Sequence, residues 1–283
     1  MSSYTSNLNL LKKDPTTDGS DTFNIKTMLN DNWDKIDDYV AKRKKNIVYI
    51  EESQNWTVPS GVYEVAVFLI GGGCGGQGAY NNGDSMYSSG RGGTGGYPIA
   101  DNIKVIPGTN ISIIIGAGSA GGIGNISKSG TKQNPEAGGT TSFGNILFAK
   151  GGALDIGGSA GGKSIYYEQT SKIAHIKGQD GGDNNGLGIE NIKRTSFCDI
   201  TNELYGGGGG SGCWINDKNL TETVSGGIGG IGGGTGGSSE NLSGQNATKY
   251  GAGGGGGGFL YASAPGTCGN GGNGHAGVCI IAY

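Results

Sequence analysis

The chain has 283 residues, of which 64 are glycine and 34% are hydrophobic, and it carries a formal net charge of −3. Its length is enough for a sizeable core, yet its apolar share falls below the usual level of about 45–50%, so something besides side-chain packing must hold much of the chain. The slightly negative balance excludes the basic footprint that nucleic acid or an anionic membrane surface requires.

The opening residues, Met1-Ser2-Ser3-Tyr4-Thr5-Ser6, carry neither a basic nor an apolar stretch. No apolar run reaches the roughly 18 residues of a membrane span, so neither a signal peptide nor membrane insertion is expected, and synthesis in a cytosol is.

From Asp21 to Lys45, Ile25, Met28, Leu29, Trp33, Ile36 and Val40 recur at helical spacing, predicting an amphipathic helix. Asp21 or Thr22 would cap its start. Lys42, Arg43, Lys44 and Lys45 lie at its end, where cations complement the negative pole of the helix dipole, so the basic run needs no nucleic acid to explain it. Ile25, Leu29, Asn32, Ile36 and Tyr39 also follow coiled-coil spacing, with the polar Asn32 in the seam. The helix therefore either packs on its own domain or trimerises and docks onto a larger assembly.

Composition changes sharply after this segment. Gly19 and Gly61 are the only glycines before Gly71, whereas 8 of the 20 basic and 9 of the 23 acidic residues precede position 53. Asn46–Ile50, Val62–Ile70, Ile103–Ile106, Ile111–Ile115, Asn145–Ala149 and Val278–Tyr283 are rich in β-branched and aromatic residues and predict strands of a small β-sandwich. Val58-Pro59-Ser60-Gly61 and Pro107-Gly108 supply turns.

The glycine has a period of three. Gly226 to Gly237 reads as glycine pairs separated by one further residue, and the same spacing aligns Cys74 with Gln77 and Tyr80, Arg91 with Thr94 and Tyr97, and Tyr205 with Gly208, Ser211 and Trp214. Three is the period of polyproline II, which makes no hydrogen bonds within its own chain. Where two faces of such a rod carry only hydrogen, neighbouring backbones can approach and pair N–H with C=O. At a rise of about 3.1 Å per residue, a rod over Gly226–Gly237 would be about 37 Å long. A flexible linker would show no such phase. The expected fold is thus mainly β and irregular: a helical segment over 1–45, then a small β-sandwich merged with polyglycine II rods and surface loops over 46–283.

Two motifs imitate nucleotide sites. Gly116-Ala-Gly-Ser-Ala-Gly121 after a strand satisfies the dinucleotide fingerprint, but this composition generates it about five times by chance, and Gly122-Ile-Gly-Asn125 cannot open the helix that such a site needs. Gly157–Ser164 fits the P-loop pattern, with Lys163 as its lysine, yet no Asp-ending apolar strand follows to hold magnesium. A P-loop nucleotide-binding protein is therefore a remote alternative. Only His175 and His275 are available, so neither a Ser-His-Asp triad nor a zinc site is expected. Cys74, Cys198, Cys213, Cys268 and Cys279 form an odd set without a C-x-x-C spacing and read as structural thiols. No catalytic residue, metal or cofactor is expected.

Asn7-Leu-Asn-Leu-Leu-Lys-Lys-Asp14 and Asn24-Ile-Lys-Thr-Met-Leu-Asn-Asp-Asn-Trp-Asp-Lys-Ile-Asp37 resemble the start of tail-fibre proteins from phages and phage-tail bacteriocins of Gram-positive, especially clostridial, bacteria. From Trp56-Thr-Val-Pro-Ser-Gly61 to Gly277-Val-Cys-Ile-Ile-Ala-Tyr283 the chain resembles the glycine-rich domain of many phage fibres, and phage adhesins with polyglycine II bundles offer an analogy. Cys74, Cys213 and Cys268 depart from that domain's usual Gly or Ser, and Lys163–Leu204 is a longer insertion.

The resemblance implies a component of a virion tail or phage-tail-like particle, made in the host cytoplasm. Its helical segment would attach to tail baseplate proteins through Ile25, Leu29, Trp33 and Ile36, and a homotrimer is one assembly this allows. Its glycine-rich domain would present loops to a host cell-surface polysaccharide or surface protein. The segments Asn81–Gly90, Lys163–Leu204, Cys213–Ser225, Ser238–Tyr250 and Phe259–Cys268 join the rods. Their aromatics Tyr87, Tyr166, Tyr167, Trp214, Tyr250 and Tyr261 are the candidate recognition residues, since each offers an apolar face with a polar handle. The alternative function is a spacer fibre that binds no receptor.

Overall fold

The computed structural model describes residues 3–4, 10–14, 17–18, 22, 24–42, 46–81, 86–125, 134–154, 160–163, 166–168, 174–177, 179–182, 205–217, 220–261 and 266–283. They form two compact units, Met1–Asn46 and Ile47–Tyr283.

In the first unit, strand β1 (Ser3–Tyr4) pairs antiparallel with β2 (Leu11–Lys12), and a π-helical turn, Lys26–Asn30, leads into helix α1 (Asp31–Lys42). Of the expected caps, Asp21 lies outside the described residues, and Thr22 precedes the helical turn by three residues. Asn24 Oδ1 accepts the Thr27 N–H at 3.1 Å and so supplies the first-turn acceptor, which places the helix start after Asn24. The Asp31 N–H reaches back five residues to Lys26 O, the π pattern. Asn32 is engaged within the chain. Its Oδ1 accepts the Leu11 N–H at 2.8 Å and its Nδ2 donates to Leu11 O at 3.1 Å, so the amide completes β2 as a strand neighbour would. No described helix is long and apolar enough to cross a membrane.

The second unit contains β3 (Ile47–Ile50), β4 (Gln54–Thr57), β5 (Glu64–Ile70), β6 (Tyr80–Asn81), β7 (Met86–Ser88), β8 (Pro98–Lys104), β9 (Asn110–Ile114), β10 (Thr141–Phe143), β11 (Leu147–Ala149), β12 (Tyr166–Glu168), β13 (Ala174–Ile176), β14 (Trp214–Asn216), β15 (Phe259–Leu260), β16 (Thr267–Cys268) and β17 (Val278–Ala282). Two antiparallel sheets, ordered β3-β17-β5-β8 and β11-β10-β9-β4, make the expected sandwich. Val65, Val67 and Leu69 of β5 meet Cys279 and Ile281 of β17, and Trp56, Ile113 and Phe143 of the other sheet, in one buried cluster. The alternate residues Ala66, Phe68, Ile70, Val278, Ile280 and Ala282 pack on the opposite face with Tyr205 and Tyr250. Both central strands are thus covered on both faces, which is why they read as unbroken apolar runs. At the β8–β9 connection the Thr109 N–H bonds Ile106 O at 3.2 Å and Gly108 has φ +78°, a type II turn with Pro107 at its second position.

From one end of this sandwich the chain continues as rods. β5, β9 and β11 run out into 71–79, 115–125 and 150–154, while 89–97, 134–140 and 269–277 run in to β8, β10 and β17. Further rods, 160–163, 179–182, 205–213, 224–231, 232–237, 242–247 and 251–258, complete the bundle. Their pairing follows the expected triplet phase. Gly71, Cys74 and Gln77 donate to Tyr97, Thr94 and Arg91, whereas Gly73, Gly76 and Ala79 donate to His275, Gly272 and Gly269.

Rod 251–258 lies at the centre. Gly253, Gly256 and Phe259 donate to Gly207, Gly210 and Cys213; Gly254 and Gly257 donate to Cys74 and Gln77; Gly255 and Gly258 donate to Gln245 and Leu242. Its carbonyls accept from Gly90 and Gly93, from Gly234 and Gly237, and from Gly269 and Gly272, so rods lie on every side. Spacing is too close for side chains: a Cβ built on Gly257 would lie 2.0 Å from Gly269 O.

Rods bonded at residues that rise together are parallel, and those bonded at residues that run in opposite orders are antiparallel. By this criterion 71–79, 205–213, 232–237 and 251–258 ascend from the sandwich, and 89–97, 224–231, 242–247 and 269–277 descend to it. Gly226–Gly237 is therefore not one rod of about 37 Å. It folds back where the Gly233 N–H bonds Gly230 O at 2.7 Å and Gly232 adopts φ +75°, giving two antiparallel rods of about half that length.

Candidate functional site

Alternating direction sorts the connections onto two ends. Ascending rods deliver β6, β14 and β15 to the end remote from the sandwich, where they are joined by β7, β12, β13 and β16. Two small sheets cap that end, ordered β12-β7-β6 and β13-β14-β15-β16. Within the first, Tyr167 stands opposite Tyr87 and Tyr166 opposite Ser88, so three of the candidate aromatics share one ladder. Of the expected recognition segments, 82–85, 164–165, 169–173, 178, 183–204, 218–219 and 262–265 lie outside the described residues.

Tyr261 follows β15 at the same end, half-buried against Trp214, Phe259 and Ala79, with its N–H bonded to Ile215 O at 2.8 Å. Trp214 is not a surface residue. It is 1% exposed, and its ring stacks on Phe259 at 6.3 Å across the parallel β14–β15 pair, so it anchors the cap to the rod ends. Tyr250 lies at the opposite end, because the descending rod 242–247 carries it back to the sandwich. There it donates to the Glu51 carboxylate, packs 5.8 Å from Tyr205 and meets His275 edge-on at 5.4 Å. Those contacts make it a clamp between rod ends and sandwich rather than part of the remote surface.

In the first unit Ile25, Leu29 and Trp33 follow one another at four-residue steps and are 60%, 41% and 60% exposed, while Ile36 is half-buried. They form an apolar stripe along the helix.

Where they are described, the two nucleotide-like motifs lie in rods. Gly116 and Gly121 donate to Thr141 Oγ1 and Asn273 Oδ1, and Gly122 continues to Gly76 O instead of opening a helix. Within Gly157–Ser164, residues 157–159 and 164 lie outside the described set; the Gly162 N–H donates to Gly209 O, and its carbonyl accepts from Gly92. Among the described residues no group of three or more His, Cys, Asp or Glu could hold a metal ion.

Cys74, Cys213, Cys268 and Cys279 are thiols, and Cys198 lies outside the described residues. Burial pushes the Cys213 and Cys268 thiols up from 9.0 to about 12, with a backbone hydrogen bond pulling slightly the other way, and burial alone pushes Cys279 up. Below the unfolded value both states are neutral and pH acts on neither. Between about 9 and about 12 the unfolded chain loses these protons while the folded one keeps them, so stability falls as pH rises, by up to about 1.4 kcal/mol per pH unit for each thiol. Urea midpoints at pH 8 and pH 11 should therefore drop more in the wild type than in Cys213→Ala; equal drops would contradict the shifted thiol.

One feature was not legible in the spacing. Above rod 232–237, between 224–231 and 242–247, runs an open lane lined by Ser225, Ile228, Thr235, Ser238, Ser243 and Gln245. Only the pairing of the three rods brings these residues together.

A family model described as a glycine-rich domain matches residues 50–283. A search of curated proteins gave no match.

Proposed function

The chain belongs to the glycine-rich domain family, and from that premise we propose that it is a tail-fibre protein of a phage or phage-tail-like particle. In this reading the first unit attaches to tail baseplate proteins and the remote end of the rod bundle recognises a polysaccharide or protein on the host surface. The observation that carries the reading is the sorting of connections: a bundle of rods tied by backbone hydrogen bonds gathers β6, β7 and β12–β16 at the end away from the sandwich. Loops held on a stiff scaffold are where binding function concentrates. The exposed stripe Ile25, Leu29 and Trp33 suits attachment, since an apolar helix face in water gains by being covered. The resemblance of residues 7–37 to Gram-positive tail fibres supplies the kind of particle and host.

No catalytic step belongs to this reading. ATP binding that disappears in Lys163→Ala would support the nucleotide-binding alternative instead.

The test of host recognition is binding of the purified protein to Gram-positive cells, clostridial strains included, with Tyr87→Ala, Tyr166→Ala, Tyr167→Ala and Tyr261→Ala combined. A loss of at least about tenfold is expected, because two or more contact aromatics, each contributing over about 1 kcal/mol, are removed. Unchanged cell binding in the combined variant would refute recognition at this end, and binding to tail particles but to no cell would favour the spacer role.

A further inference from the structure

We propose that the lane over rod 232–237 is a binding site for a linear, uncharged glycan chain, a conclusion that deepens the host-recognition reading and rests on it. The lane is one rod wide by construction. Its floor is Thr235, Gly236 and Ser238; one wall carries Ser225, Gly226 and Ile228, and the other carries Asn241, Ser243 and Gln245. Its walls are the two rods that flank 232–237, so a narrow polymer would lie along them, in the far half of the bundle, since Gly234 and Gly237 bond Gly253 and Gly256 of the ascending central rod.

The lining chemistry selects the polymer. Ser225, Thr235, Ser243 and Gln245 place three hydroxyls and one carboxamide in the lane, and none of these side-chain groups makes a hydrogen bond to another described residue. On other rods several polar side chains are engaged: Ser119 and Ser211 accept the N–H groups of Gly75 and Gln179, and Asn270 and Asn273 accept those of Gly124 and Gly121. Neutral donors and acceptors in a row match the hydroxyls of sugars. Ile228, 61% exposed, offers an apolar flank for the C–H face of a pyranose ring. Among the described residues of the lining Lys177 is the only charged one, and it is paired with Asp180 at 3.9 Å, which leaves little to favour a polyanion.

A peptide strand is the competing occupant, and the backbone argues against it. Adding a strand needs unspent main-chain groups at the edge. Here the N–H groups of Gly236, Gln245, Ser243 and Ile228 already donate to Gly227 O, Thr235 O, Asn241 Oδ1 and Asp180 Oδ1.

The experiment is saturation-transfer NMR on the full chain with maltotetraose, cellotetraose and chitotetraose, and with the peptide Gly-Ala-Gly-Ala-Gly-Ala. Thr235→Val together with Gln245→Met removes a hydroxyl and a carboxamide at nearly constant shape; a melting temperature within a few degrees of wild type verifies the fold. Transfer to the ring protons of at least one sugar is expected, with affinity about tenfold weaker in the double variant. No transfer to any of the three sugars, equal affinity in the variant, or transfer to the peptide alone would overturn the proposal. Binding of both proteins to whole cells separates the two readings: sugar binding lost with cell binding retained leaves recognition at the capped end standing. Cell binding absent in the wild type, with tetrasaccharide binding present, removes the host-recognition reading while the lane remains a glycan site.

Discussion

Gly76→Ala is expected to prevent the glycine-rich unit from folding. Gly76 lies on rod 71–79, donates to Gly272 O and accepts from Gly122, both at 2.8 Å, and a Cβ built on it would lie 1.9 Å from Gly255 O of the central rod. The obstacle is a carbonyl oxygen, not the end of a flexible side chain. Relief therefore requires two rods to part, and each is tied to further rods by bonds at every triplet. Such a change belongs with the rare substitutions that cost more than about 4–5 kcal/mol, a large part of a domain's whole stability. Gly182→Ala is the matched control: there the nearest atom to an added Cβ, Ala160 O, is 3.6 Å away, an ordinary contact. The measurement is soluble yield and the cooperative thermal transition of both variants. A Gly76→Ala protein melting within a few degrees of wild type would show that the rods separate easily.

Removing Val278–Tyr283 is expected to be as damaging, although chain ends usually tolerate trimming. β17 is a central strand. It pairs with β3 through Cys279–Ala282 and with β5 through Val278–Ala282. Val278, Ile280 and Ile281 are completely buried, and each such side chain contributes roughly 1.5–3 kcal/mol by leaving water. Their loss would also leave β3 without a partner and open both apolar clusters. Circular dichroism and urea titration of a chain ending at Gly277 should show no cooperative transition. Removal of Tyr283 alone loses mainly its contact with Trp56, at 5.8 Å between ring centres, and should leave a folded protein. Equal behaviour of the two truncations would contradict the central role of β17.

What the sequence made legible follows from where side chains decide structure. β5 and β17 were evident because strands buried on both faces are continuously apolar. β4 and β10 were not, because each is short and polar apart from one or two inward residues such as Trp56 and Phe143. The small sheets of the cap consist of strands of two or three residues, below the length at which periodicity speaks. Rods announced themselves by their triplets, and the run Gly253–Gly258 even marks the centre, since a rod enclosed on all sides has no room for a side chain. Their directions were hidden, for a glycine backbone bonds a parallel and an antiparallel neighbour alike. The error over Tyr250 followed directly: without the number of traverses, the end at which a loop emerges is unknown. Trp214 misled for another reason. A tryptophan beside glycines resembles a loop anchor, and only the parallel pairing with Phe259 buries it. The glycan lane belongs to three rods at once, so no linear pattern could reveal it.

Because the rods repeat every three residues, sliding one along its neighbours by a triplet, about 9 Å, brings donors and acceptors back into line. The lattice alone therefore holds almost no memory of alignment; it is translationally degenerate, as a ruled grating is. That memory resides in a few keys, such as Gln77 Nε2 on Asn134 Oδ1 and Ser119 Oγ under the Gly75 N–H, and in the sandwich strands from which six rods hang. An offset of one triplet is thus the misassembly this architecture must guard against, and the sandwich is the jig that fixes the register.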